Sequence, residues 1–204
     1  MPRPGKTIRT LTGPGLPLLA GLWCLAPGLP TAERCEFRVH WREQVVGHVK
    51  ASREVVQGTT HYRMTSWSEF DLIWKREVHS DLHTRYTGDR LSHCTSWVRV
   101  NGALRDSSHM TVGRPGCYVH PRAVPACAAG APWATARLYF AEPVGQGAIF
   151  VESLLADRPL QALGGGRYRL SFPGGHANTY VYDDGRLLEV HVDRGLFQLV
   201  FRRR

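Results

Sequence analysis

From Glu36 to the end of the chain, polar and apolar side chains alternate with a period of two, and a turn dipeptide breaks the alternation every ~8–12 residues. Gly88-Asp89, Asn101-Gly102, Gly174-Gly175, Asp184-Gly185 and Arg194-Gly195 fall between runs such as HYRMTSWSEF, RLSHCTSWVRV and LLEVHV. A pair like Asp-Gly suits the positive φ angles of a type I′ turn, whose twist matches that of the strands it joins. No stretch carries the apolar period of a long amphipathic helix. Short strands at this spacing specify an all-β fold, an antiparallel meander that forms a half-open barrel or curved sheet. The segment from Cys117 to Ala136, rich in Pro, Ala and Gly, interrupts the meander as a central loop, and a helical turn is expected around Ala134 to Phe140.

The last hairpins permit a register calculation. Two-residue loops at Gly174-Gly175, Asp184-Gly185 and Arg194-Gly195 set Phe172 against Ala177, Val181 against Leu188, Thr179 against Val190 and Phe197 against Val192. One face then holds Val181, Leu188, Val190 and Val192, and the other holds Arg169, Tyr180, Tyr182, Glu189 and His191. At the start of the chain, a three-residue connection at Glu43 to Val45 pairs Val39 with Val49 and Trp41 with Gly47, the glycine leaving space for the indole. This pattern assigns residues to faces without saying which face is concave.

Residues 1–32 differ from the rest. Arg3, Lys6 and Arg9 precede a short apolar run from Leu16 to Ala26, the pattern of a secretory signal peptide. The run is too short, and too interrupted by Pro17 and Gly21, to be a transmembrane span. Trp23 stands where a lipobox needs a small residue, so Cys24 is not read as a lipid anchor. Residues 33–204 are long enough for a single β domain with its own core. The leader holds three bases and no acid, so the net charge falls from +9 to +6 without it. Surplus arginine makes anionic partners such as lipid headgroups chemically reasonable. Nucleic acid is not expected for an exported chain lacking a compact basic motif.

Cys35, Cys94, Cys117 and Cys127 remain after the leader, an even count that in an exported protein points to disulfides. Three connectivities are open. We favour Cys117 with Cys127, which would staple the central loop, and Cys35 with Cys94.

Chemistry-bearing motifs are sparse. Glu189 and His191 are two apart on one strand, so their proximity follows from the pleat, and with Arg169 and Tyr180 they read as a cross-strand row on a wet surface. His79 and His83 sit beside Glu77 and Asp81, but the stretch reads as strand and lacks the order HExxH. Cys117 with His120, and His93 with Cys94, are better explained by oxidised thiols. No G-x-S-x-G elbow, phosphate loop or dinucleotide fingerprint is present, and Gly164-Gly165-Gly166 precedes a strand. We expect no catalytic residue, no metal site and no cofactor.

Six segments carry a wider likeness: V-V-G-H-V (45–49), W-V-R-V-N-G (97–102), L-Y-F-A-E-P (138–143), I-F-V-E (149–152), Y-R-L-S-F-P-G-G (168–175) and T-Y-V-Y-D-D-G-R-L (179–187). By these the chain resembles a family of exported bacterial proteins known as domain of unknown function 6134. The resemblance implies export and a β fold, and it assigns no activity or functional residue. More distantly, the chain is similar to envelope proteins whose antiparallel sheet curls into a half-open barrel around lipid-like cargo. The expectation that follows is a non-enzymatic envelope protein binding an apolar or amphipathic molecule, with Trp41, Trp67, Trp74 and Trp97 lining one interior face and Tyr180 and Arg169 contributing a polar edge. A structural or interaction module of the envelope, and a hydrolase or isomerase with an unrecognised site, are the alternatives.

Overall fold

Tight turns form where the chain supplies positive φ. Arg42 and Glu43 (48° and 64°) close the first hairpin, and Asp184 and Gly185 (47° and 72°) close a later one. The computed structural model describes residues 32–71, 74–114, 117–121 and 132–204. The leader expected over residues 1–32 falls outside this set except for Ala32, as does Cys127. Among the described residues no helix is long and apolar enough to cross a membrane.

The first half builds β1 (Ala32–Trp41), β2 (Gln44–Val56), β3 (Thr59–Asp71), β4 (Lys75–Thr87), β5 (Arg90–Val100), β6 (Ala103–Thr111) and the short β7 (Tyr118–His120). A 3₁₀ helix follows at Thr135–Tyr139. The second half adds β8 (Ala148–Val151), β9 (Ala156–Gly164), β10 (Arg167–Ser171), β11 (Ala177–Asp183), β12 (Arg186–Asp193) and β13 (Gln198–Arg203). They form one antiparallel sheet in the order β7-β6-β5-β4-β3-β2-β1-β13-β12-β11-β10-β9-β8. The sheet is open, with β7 and β8 at its edges, and the two halves of the chain join where β1 pairs with β13.

The meander and the helical turn match the sequence reading, and the registers correct it in detail. Beside the Asp184-Gly185 turn, Tyr182 pairs with Leu187 as a two-residue loop requires, but a bulge between Val181 and Tyr182 then sets Tyr180 against Val190. Pro173–Gly175 forms a single 3₁₀ turn, Phe172 N–H bonding to His176 O, and Tyr168 consequently faces Tyr180. Both shifts are odd, so Tyr180 and Tyr182 turn inward while Leu188 is exposed. The Arg194 loop and the first hairpin shift by two, which preserves the faces: Leu199 meets Val192, and Val39 meets Gly47. β4 runs unbroken from Lys75 to Thr87.

The concave face is the apolar one. Phe37, Val39, Val49, Leu170, Leu187 and Val190 are fully buried and pack against Leu138, Ile149 and Val151. The segment from the 3₁₀ helix through β8 thus fills the inside of the curl. β8 is buried on both faces: Ile149 and Val151 join that cluster, while Phe150 joins a second one with Met110, Cys94 and Tyr86. Each such side chain contributes about 1.5–3 kcal/mol by leaving water. A strand covered on both sides reads as a continuous apolar run, which is why alternation does not reveal it.

The expected Cys35–Cys94 disulfide is absent. Both are free thiols, Cys35 in the first cluster and Cys94 in the second, on strands separated by β2, β3 and β4. The pairing expected for Cys117 falls on Cys127, which lies outside the described residues.

At Gly47 the β3 backbone crowds β2, and the space the glycine leaves is taken by that backbone, not by the Trp41 indole. A Cβ there would lie 2.1 Å from Trp67 O and 2.6 Å from Ser68 Cα. Gly47→Ala is expected to lower the unfolding free energy by about 3 kcal/mol, because rigid backbone must move. Gly58→Ala, in a turn with nothing within 4 Å of the added carbon, is expected to cost only about 1–2 kcal/mol, the strain of its positive φ. Denaturant midpoints of the two variants check the difference.

Candidate functional site

Along β3 to β6 serines hold several inward positions among larger residues such as Met64, Leu82 and Met110. Ser66, Ser68, Ser80, Ser96 and Ser108 all alternate with larger outward residues. Four of these pair across strands, Ser66 Oγ with Ser80 Oγ at 2.6 Å and Ser96 Oγ with Ser108 Oγ at 2.9 Å. Hydroxyl-bearing stubs in place of branched aliphatics leave room between the wall and the inner segment. A cavity of about 240 Å³ occupies that room.

Both halves line it. Met64, Leu82 and Val98 face Val192 and Phe201 across the space, with Ser66, Ser80 and Ser96 forming a polar stripe among them. Tyr139, Val151 and Glu152 come from the inner segment, and Asn178, Tyr180 and Arg194 from the second half. Arg194 Nη1 donates to Asn178 Oδ1 at 3.0 Å and to Asp193 O at 2.9 Å, while its guanidinium lies over the Phe172 ring. Burial lowers the Arg194 pKa from its usual value, opposed by Tyr180 and Asp193 nearby. Burial also pushes Tyr180 up to about 12, so its phenol stays protonated.

Glu152 lies at the end of the cavity toward the inner segment and is 1% exposed. Its Oε1 accepts from Thr84 Oγ1 and Ala136 N, each at 3.1 Å; its Oε2 accepts from Thr135 N at 3.2 Å and from the Thr135 hydroxyl. Burial raises its pKa, and the bonds from Thr135, Ala136 and Thr84 oppose the rise. Ser108 Oγ, on β6, donates to Glu152 O at 2.6 Å. One residue therefore ties β4, β6 and the 3₁₀ helix together.

Of the six residues expected to hold a ligand, Tyr180 and Trp97 border the cavity, and Trp97 also borders an outer groove with Glu77, His79 and Arg99. Trp41 packs on Phe70 at the edge of the first cluster. The expectation of one tryptophan-lined interior face is corrected: Trp67 is outward, donating from Nε1 to Glu77 Oε1 at 3.2 Å and stacking near His48. Trp74 is 75% exposed, and Arg169 is exposed on β10. Glu152, Arg194 and the inward serines were not singled out by sequence. The signal for Glu152 is a lone charge closing the apolar run IFVE. In TSWS, the serines and the tryptophan must take opposite faces, and apolarity alone selects the wrong one.

The other sequence candidates resolve locally. Glu189 Oε2 meets His191 Nε2 at 2.8 Å, and Arg202 Nε donates to Glu189 Oε1 at 3.2 Å, a charge-paired surface row with Arg202 in place of Arg169. His79 pairs with Glu77 at 2.9 Å. Burial pushes the Cys35 thiol up to about 11 and the Cys94 thiol higher, so neither is a ready thiolate nucleophile. Among the described residues no three His, Cys, Asp or Glu side chains are already gathered as a metal cage.

Comparison with known proteins finds one family model, Domain of unknown function (DUF6134), which matches residues 37–204. No curated protein and no solved structure matches.

Glu152→Ala leaves two backbone amides and two hydroxyls without their acceptor and is expected to cost on the order of 3 kcal/mol or more. Glu152→Gln keeps the shape but turns an NH₂ toward an amide donor, for about 1–3 kcal/mol. Because the Glu152 pKa is raised in the folded state, the folded chain binds the extra proton more tightly, and stability falls as pH rises from the ordinary carboxyl value of 4.5 through the folded value. Thermal unfolding across that range should show this slope in the wild type and lose it in Glu152→Gln.

Proposed function

Because the chain belongs to the DUF6134 family, defined by a domain of unknown function, we propose from the site itself that it is an exported binding protein holding an amphipathic molecule inside the curl of its sheet. The observation that carries this reading is the cavity on the concave face: apolar side chains from both halves, a serine stripe, and a partly desolvated guanidinium at one side. Binding sites of small molecules combine these elements, a mostly apolar hollow with a few placed polar groups. At about 240 Å³ the space suits a short apolar chain or part of a longer one. Arg194 favours an anionic head, since three of its contacts are to neutral oxygens of Ala177, Asn178 and Asp193.

Export is supported by the basic start at Arg3, Lys6 and Arg9 and the leucine-rich run that follows. In an oxidising compartment Cys117 and Cys127 would staple the central loop, a bridge that a mass shift on reduction and alkylation detects.

Native mass spectrometry of the protein purified from its own periplasm tests the reading. One small molecule per chain, stripped by organic solvent, is the expected result, and the amino-terminal sequence of the same sample reports removal of the leader. A bare chain that also fails to bind octanoate or octanol in calorimetry would sink the proposal. With octanoate as probe, Arg194→Gln is expected to weaken binding by about tenfold to a hundredfold, the worth of a charged hydrogen bond, and to leave octanol binding unchanged.

A further inference from the structure

The outer face of the first half carries a row of imidazoles that the proposed ligand cavity does not use. His61 on β3, His83 on β4, His93 on β5 and His109 on β6 follow one another across four neighbouring strands, and Tyr118 on β7 ends the row. Successive ring centroids are 5.6, 6.2, 5.2 and 5.9 Å apart. The registers make this row. Arg63 lies opposite His83, Arg85 opposite His93 and Thr95 opposite His109, so each histidine meets the next along a diagonal. Diagonal neighbours on one face are within reach of ring side chains.

At the first step the nitrogens themselves meet: His61 Nδ1 and His83 Nε2 are 3.3 Å apart. Two neutral imidazoles so placed share one proton, one nitrogen donating and the other offering a lone pair. A tetrahedral zinc ion with Zn–N bonds of about 2.0–2.1 Å holds two ligand nitrogens about 3.3–3.4 Å apart. The pair already has the separation of two ligands on one ion.

We propose that His61 Nδ1 and His83 Nε2 form a two-point chelate on the outer face for a divalent transition-metal ion of the zinc or copper type, with His93 and His109 next in line. Nitrogen-only donors select such ions over magnesium and calcium, which require oxygen. On binding, the ring that donated the hydrogen bond moves its proton to its other nitrogen, so both imidazoles stay neutral and no proton is released. Water completes the coordination, which leaves the site open. Arg63 and Arg85 flank the pair and oppose a dication, while Asp81, two residues from His83 on the same face, favours it.

The test uses the whole, untagged protein near neutral pH, with Zn²⁺ in competition with a chromophoric chelator. One bound equivalent is expected, weakened at least about tenfold in His61→Ala and in His83→Ala, since loss of a direct ligand should cost no less than loss of an outer-shell partner. His191→Ala, whose imidazole lies on β12 and pairs with Glu189, should bind as the wild type does. Wild-type affinity in the His61 and His83 variants, or no zinc binding by the wild type, overturns the site. Electron paramagnetic resonance of the Cu²⁺ form reads the unaltered chain, independently of how the variants fold. Coupling to two or more imidazole nitrogens supports the site, and an oxygen-only spectrum overturns it.

Discussion

The Glu152 carboxylate accepts hydrogen bonds from Thr84 in the sheet wall and from consecutive backbone amides of the 3₁₀ helix, and these contacts fix where the inner segment sits. Apolar contact alone would be indifferent to a small slide of that segment along the wall, because burial is non-directional. A buried carboxylate is not indifferent. It is costly to desolvate, and only one placement gives it four donors. Its own carbonyl takes the Ser108 hydroxyl, so β6 is held by the same residue. The serine-lined space exists between two surfaces whose relative position this residue sets.

The meander and its turns were legible because period-two patterning and positive-φ dipeptides are local properties. The exact pairing was not, and the last hairpins show why. A single bulge between Val181 and Tyr182 reverses which residues of β11 face in, and a bulge leaves little trace in composition. Where the actual loop exceeded the expected one by an even number of residues, as at Arg194, the inward face survived the error. Parity, more than loop length, decided whether the reading held. β8 was invisible for a different reason: Ile149, Phe150 and Val151 are all covered, so there is no polar face to alternate with.

Less of the candidate site was legible, since it depends on which face is concave. In TSWS and TSW, hydrophobicity places the tryptophans inside, yet Trp67 is outward and its indole finds Glu77, His48 and His79 there. The serines take the inner positions, where the wall must pass close to a segment that already fills the curl. Tyr180 borders the cavity on the same face as Val190, whereas the register read from the sequence sets it on the opposite face. The histidine row is farther still from the linear sequence. His61, His83, His93 and His109 become neighbours only through three strand pairings, and His79 with His83, close in the linear chain, is not the pair that meets.

The pairing of β1 with β13 carries a consequence for how the sheet closes. β1 completes its hydrogen bonding only when β13 joins it, and every other strand lies between Trp41 and Gln198 in the chain. Until that long-range pairing forms, one edge of β1 is open to any passing strand. Arg34, Arg38 and Glu36 stand on the solvent side of that strand, alternating with the buried Cys35 and Phe37. Charges so placed are the usual protection of an exposed edge against pairing with another chain. Before the sheet closes they would guard the seam that in the finished protein joins its two halves.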